Sequence, residues 1–219
     1  MTTVWLCRHA ETAVPNVFHG FESDVDLSEH GRLQADAAAD WFRELRPTAV
    51  VSSAMRRAVE TGKVIATRCD VPHLFEEKLH ERRVGILGGT SYAHAHGPWA
   101  ETERRWTAGE TDYTTEGGES YAELADRLVP AFHRAIETQE NGRIVVVAHG
   151  IVCKILLLSL LKEQGPRKWV EIGNCLNLSV SELEMQSDGS WRVNSLLQLP
   201  PPVAALNLAR ADREPSKKT

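Results

Sequence analysis

The feature that most limits the fold is a set of short, unbroken apolar runs separated by stretches of helical periodicity. Thr3–Cys7 (TVWLC), Ala49–Ser52, Ile144–Ala148 (IVVVA) and Leu176–Val180 are four such runs. Apolar runs without polar alternation suit strands buried on both faces, as in a parallel sheet covered by helices. The intervening segments supply the helices. Ser28 to Leu45 opens with a capping residue and carries Leu33, Ala37, Trp41 and Leu45 at helical spacing. Ser53 can cap a helix running to about Arg68. Glu119 to about Thr138 puts Leu124, Leu128, Ala131 and Ala135 on one face. Ile151 to about Lys162 is strongly apolar and suits packing on the sheet. Asp188-Gly189 is a turn signal that hairpins Leu178–Met185 with Trp191–Leu199. The expected fold is therefore α/β: a three-layer sandwich with a mainly parallel central sheet, one antiparallel edge strand and helices on both faces. One domain is expected over 1–199, with a lid or insertion at about 88–118 where periodicity fails. Residues 200–219 lose periodicity, end in charges and read as a C-terminal tail.

Length and charge narrow the partners. At 219 residues the chain can build one sizeable core. Its 25 Lys and Arg against 30 Asp and Glu give a net charge of −5. Nucleic acid and anionic membrane surfaces reward a basic protein, so neither is an expected partner. No apolar run approaches the roughly 18 residues needed to span a bilayer. The N-terminus lacks the basic and apolar regions of a signal peptide, so a cytoplasmic location is expected. Cys7, Cys69, Cys153 and Cys175 are far apart with no CxxC pair. They read as reduced thiols rather than a zinc site or a disulfide framework. A homo-oligomer is allowed by the sequence but not specified by it.

In parallel α/β proteins, ligands bind outside the carboxyl ends of the strands. The first run ends at Arg8-His9-Ala10-Glu11-Thr12, the second at Ser52-Ser53-Ala54-Met55-Arg56-Arg57, and IVVVA at His149-Gly150. An arginine in the first turn of a helix opposes the helix dipole, so its natural partner is a bound anion. The helix opening at His149-Gly150 offers free amides to an oxyanion. Two imidazoles and two guanidiniums suit attack on a phosphoryl group and neutralisation of its three oxygens. A carboxylic acid would protonate the leaving alcohol and later activate water, and no metal or other cofactor is required.

These motifs carry a resemblance. Arg8-His9-Ala10-Glu11-Thr12 resembles the RHGE[ST] signature of the histidine phosphatase superfamily, the phosphoglycerate-mutase-like group. Gly20, Leu27-Ser28, Gly31 and Gln34-Ala35 are similar to its next stretch, and Ser53 to Thr61 resembles its SxLxRAxQT stretch. Leu79 to Gly85, Gly117-Gly118-Glu119-Ser120 and Val147-Ala148-His149-Gly150 resemble three further motifs, in order, over about residues 3 to 185. The resemblance implies His9 as nucleophile, Arg8, Arg57 and His149 as phosphoryl ligands, and Glu81 as general acid and base. Asn16, Gly150 and Arg82 are carried as substrate contacts. Ala10 departs from the pattern, which has glycine there; alanine would be strained if that position needs a positive φ.

The resemblance implies a metal-independent phosphomonoesterase acting on a small phosphate ester. A cofactor-dependent phosphoglycerate-type mutase and a non-catalytic phosphate-binding module are the alternatives. The short segment between Glu81 and Glu119, and Ile151 where mutases carry asparagine, favour the phosphatase. Arg82, Arg83, Arg104 and Arg105 leave the mutase open, because mutases hold a second anion with arginines. Trp99, Trp106 and Tyr113 are candidates for an apolar cleft wall. His94 and His96 could chelate, but imidazoles two apart diverge on a helix and no supporting ligand is near in sequence.

Overall fold

The computed structural model describes residues 2–91, 97–137, 142–161 and 165–213. His94 and His96 lie outside the described residues. Six strands form one sheet: β1 (Thr3–Arg8), β2 (Ala49–Ser52), β3 (His73–Phe75), β4 (Arg143–Ala148), β5 (Val180–Met185) and β6 (Trp191–Gln198). The order is β3-β2-β4-β1-β5-β6. The first four strands in that order run parallel, β5 is antiparallel to β1, and β6 pairs antiparallel outside β5. The expected hairpin therefore closes one edge of the sheet.

Alternation of side chains divides the core into two layers. Val4, Leu6, Ile144 and Val146 face a layer built with α4 (Tyr121–Glu137) and α5 (Gly150–Leu160). Trp5, Cys7, Val145 and Val147 face the other, built with α1 (Glu29–Leu45) and α2 (Arg56–Cys69). The short runs read as two-sided strands are buried on both faces for this reason. The Ser28 hydroxyl caps α1 by accepting from the Gly31 amide, 2.8 Å away. Ser120 and Glu123 exchange hydrogen bonds at the start of α4, 2.8 and 3.2 Å, a reciprocal cap.

Three expectations need correction. The buried stripe of α1 is Gln34, Ala35, Ala38, Ala39 and Phe42, while Leu33 is 56% exposed. Small residues let α1 lie close to its neighbours, so size rather than hydropathy selects the inner face. Leu176–Val180 is not a strand until Val180; Leu178 adopts φ 56° in a turn whose backbone serves β1, its amide donating to the Arg8 carbonyl at 3.1 Å. The region read as an aperiodic tail contains α6 (Pro201–Arg213), which buries Val203 and lies against α1. Asn207 accepts from the Gln34 amide at 2.8 Å, and Arg210 pairs with Glu11 at 2.9 Å. Polar anchors hold this helix, which is why apolar periodicity did not reveal it. Among the described residues no helix is long and apolar enough to cross a membrane.

Candidate active site

β1 and β4 are adjacent and parallel, with Arg8 in register with Ala148. The helices that follow them pack on opposite faces of the sheet. Adjacent strands whose connections diverge in this way leave a crevice at their carboxyl ends. His9 and His149 are the first residues beyond those ends, and their rings stand 5.3 Å apart in an edge-on arrangement.

Each group is held by a definite partner. The His9 Nδ1 lies 2.7 Å from the Ala10 carbonyl, which can only accept, so Nδ1 carries the proton and Nε2 the lone pair. The Asn177 amide donates to the His9 carbonyl at 2.9 Å. The Ala10 amide donates to the Thr61 hydroxyl at 3.1 Å, fixing the loop to α2. Ala10 does not adopt a positive φ, and its methyl is buried in the core. Glycine is not required there by backbone conformation. Gly31 fits because α1 runs against this loop: a Cβ at Gly31 would lie 2.0 Å from the Glu11 carbonyl oxygen.

Arg57 is 1% exposed and donates to the carbonyls of Ser23 and Gly20, at 2.8 and 3.0 Å. Gly20 takes φ 55° to present its carbonyl. Arg8 donates to the Cys175 carbonyl at 2.9 Å, and its buried Nε has no partner among the described residues. The Ser53 hydroxyl lies 2.9 Å from the His149 Nε2, and the buried Nδ1 of His149 has no protein partner. Glu81 accepts from the Arg82 amide at 2.8 Å and approaches the Ile151 amide at 3.5 Å. Unpartnered buried donors carry a full desolvation cost, so the site favours an acceptor-rich ligand.

The electrostatics agree. Burial, then Arg57 and Arg8, hold the His9 pKa well below the usual imidazole range. Burial, then Arg57, His9 and Arg8, do the same to His149. Both rings are therefore neutral at neutral pH, which leaves the His9 Nε2 lone pair unprotonated.

A cleft of about 550 Å³ opens over these groups and is lined by Arg8, His9, Asn16, Arg57, Glu81 and Gly150, among others. His149, fully buried against the Ser53 hydroxyl, does not line it, and neither does Arg82. Arg82 is fully buried, donating from Nε to the Glu119 carbonyl at 2.7 Å and from NH2 to Thr114 at 2.9 Å. Its guanidinium lies 5.5 Å from both the Trp99 and Trp106 rings. A guanidinium so enclosed braces the loop behind Glu81 and does not line the cleft, contrary to its expected place as a substrate contact. Arg104 and Arg105 pair with Glu101 at 2.8 and 2.7 Å, and Arg83 faces Glu119 at 3.9 Å. The 88–118 stretch contributes α3 (Pro98–Ala108), whose Trp99 lines the cleft while Trp106 is buried. Tyr113 stacks under Arg105 instead, 4.3 Å away.

Thr61, Asn177 and Lys154 are positioning or lining groups that sequence reasoning did not single out, and Ser53, expected as a helix cap, instead meets His149 while α2 starts after Met55 with no side-chain cap. Asn177 comes from a turn 168 residues from His9 and carries no sequence signal. Lys154 had one: it is the only charged residue in α5. Among the described residues no group of three or more His, Cys, Asp or Glu side chains could hold a metal ion.

The family model of the histidine phosphatase superfamily (branch 1) matches residues 4–198. A metal-independent phosphoserine phosphatase of Arabidopsis thaliana is 32% identical over 89% of this chain and 81% of its own length. A phosphoglycerate mutase-like protein 4 of the same plant is 31% identical over 85% and 80%. Among solved structures, the mycobacterial glucosyl-3-phosphoglycerate phosphatase superposes with a TM-score of 0.76 at 26% identity, covering 89% of this chain and 98% of that one.

Proposed function

The chain belongs to the histidine phosphatase superfamily and is a phosphatase acting on small phosphate esters; on that premise we propose that it works through a phosphohistidine on His9, without a metal. The observation that carries this reading is the Nδ1 hydrogen bond to Ala10, which leaves His9 Nε2 unprotonated in a cleft that Arg8 and Arg57 also line. Nε2 attacks phosphorus in line with the ester oxygen. An N–P bond forms as the P–O bond breaks, and protonated Glu81 delivers its proton to the departing alkoxide. Arg8, Arg57, His149 and the first amides of α5 hold the three phosphoryl oxygens, where negative charge must be balanced. Two fixed guanidiniums supply the positive charge that a metal would otherwise bring. Water then gives its proton to the Glu81 carboxylate and attacks the phosphohistidine, releasing inorganic phosphate and the free imidazole.

None of Arg82, Arg83, Arg104 and Arg105, the arginines that left the mutase open, lines the cleft, which favours the phosphatase reading. The decisive assay is release of p-nitrophenol from p-nitrophenyl phosphate in EDTA. His9→Ala should abolish it, and a base-stable, acid-labile phosphoryl label should appear on the wild-type protein only. Undiminished turnover by His9→Ala, or activity that returns only with added divalent metal, defeats the mechanism.

A further inference from the structure

Beside the groups assigned to the phosphoryl oxygens, the cleft carries a carboxylate whose charge opposes an anionic ligand. Glu11 lines the cleft two residues past His9, which keeps their Cα atoms within about 7 Å of each other. A carboxylate that near to a phosphate dianion weakens its binding unless the charge is balanced. The Ser28 hydroxyl donates to Glu11 at 2.7 Å, which satisfies a lone pair but supplies no net charge. The balancing cation comes from the other end of the chain. Arg210 donates from one terminal nitrogen to both Glu11 oxygens, at 3.0 and 2.9 Å. The pair is partly shielded, with side-chain exposures of 18% for Glu11 and 37% for Arg210, so solvent does not fully screen it.

The helix that bears Arg210 is aimed at this one residue. α6 begins at Pro201, past residue 198 where the family-model match ends. Asn207, one turn before Arg210, accepts from the Gln34 amide at 2.8 Å and lies 3.0 Å from the His30 Nε2. The Gln34 carbonyl oxygen accepts in turn from the Glu11 backbone amide at 2.9 Å. α6 therefore holds Glu11 at two points, the carboxylate through Arg210 and the amide through Asn207 and Gln34. Arg210 itself does not line the cleft, so any effect on the ligand runs through Glu11.

We propose that Arg210 is a positioning residue for the phosphoryl site: it pins the Glu11 carboxylate against the start of α1 and cancels its charge, keeping the cleft attractive to a phosphate dianion. This rests on the phosphatase reading above. A purely structural ion pair would serve to dock α6 and nothing more, and the two roles predict opposite outcomes when Glu11 loses its charge.

The test uses the full chain, with inorganic phosphate as the probe in calorimetric titration and p-nitrophenyl phosphate in kinetics. Arg210→Gln should weaken phosphate binding by about fivefold and raise KM by a similar factor, with kcat changed less. The defect should shrink in 0.5 M NaCl, as a charge effect must. Arg210→Lys should keep most of the wild-type affinity. Adding Glu11→Gln to Arg210→Gln should bring the affinity back to within about twofold of wild type, although the ion pair is still absent. Glu11→Gln alone should bind phosphate at least as tightly as wild type. Unchanged affinity in Arg210→Gln overturns the proposal, as does a double variant no better than the single one. A loss in Glu11→Gln equal to that in Arg210→Gln, or a wild type that binds no phosphate, overturns it too. Binding that follows the expected order without turnover in any of the proteins would count against the phosphatase mechanism and leave the role of Arg210 standing.

Discussion

The two buried imidazoles make stability depend on pH in a way that can be calculated. His9 is 4% exposed and His149 fully buried, and both have pKa values well below 6.5, first through burial and then through the neighbouring arginines. In the unfolded chain each titrates near 6.5. Below that pH the unfolded state binds protons that the native state refuses, so stability falls as pH falls from about 6.5 toward the native values. Between pH 7.5 and 5.5 a histidine that stays neutral in the native state forfeits at most about 1.4 kcal/mol, and the pair at most ~2.7 kcal/mol. For a chain of this length that corresponds to roughly 5–10 °C in Tm. The control is the double variant His9→Gln/His149→Gln, which cannot titrate at these positions. Urea unfolding at both pH values should show the wild type losing more stability than the variant on going to pH 5.5, by up to ~2.7 kcal/mol. His19, His73 and His80 also have lowered values but are common to both proteins, so they cancel. Saturating inorganic phosphate should shrink the wild-type loss, because an anion against the rings raises their pKa values. Equal pH slopes in wild type and variant would refute the account of the site as two neutral, desolvated imidazoles beside fixed cations.

Two further outcomes test the machinery. Arg57→Lys should lower kcat/KM by at least ~100-fold on p-nitrophenyl phosphate, because an ammonium cannot hold the Ser23 and Gly20 carbonyls and still present a fork to the phosphoryl group; a loss under tenfold would mean that Arg57 only braces its loop. Ala10→Gly should cost about 1 kcal/mol in urea unfolding, since the methyl is buried and the backbone is already relaxed; a tenfold gain in kcat would show instead that the methyl obstructs the site.

The candidate site was legible in the chain to an unusual degree, for a simple reason. Strand ends are fixed by short apolar runs, and residues immediately beyond them must face the same edge of the sheet. Arg8, His9 and His149 could be assembled from that rule alone, and Arg57 from its place in the first turn of α2. Glu81 was legible only through its motif, because nothing local marks an acid in a loop as different from any solvated one. Arg82 looked equivalent to its neighbours in sequence, yet the fold encloses it between two tryptophans.

By itself the sequence determined the class of sheet and the strands whose ends carry Arg8, His9 and His149; its net charge of −5 argued only against large polyanionic partners. Tertiary structure decided which ring nitrogen of His9 is free, because that depends on where the Ala10 carbonyl points. It decided that Asn177 and Cys175, far along the chain, would brace His9 and Arg8. It also made a helix of residues 201–213 by offering them polar anchors on α1 and the Glu11 carboxylate. Periodicity reports apolar burial, and these features are built from directional hydrogen bonds between distant segments, which leave no period to read.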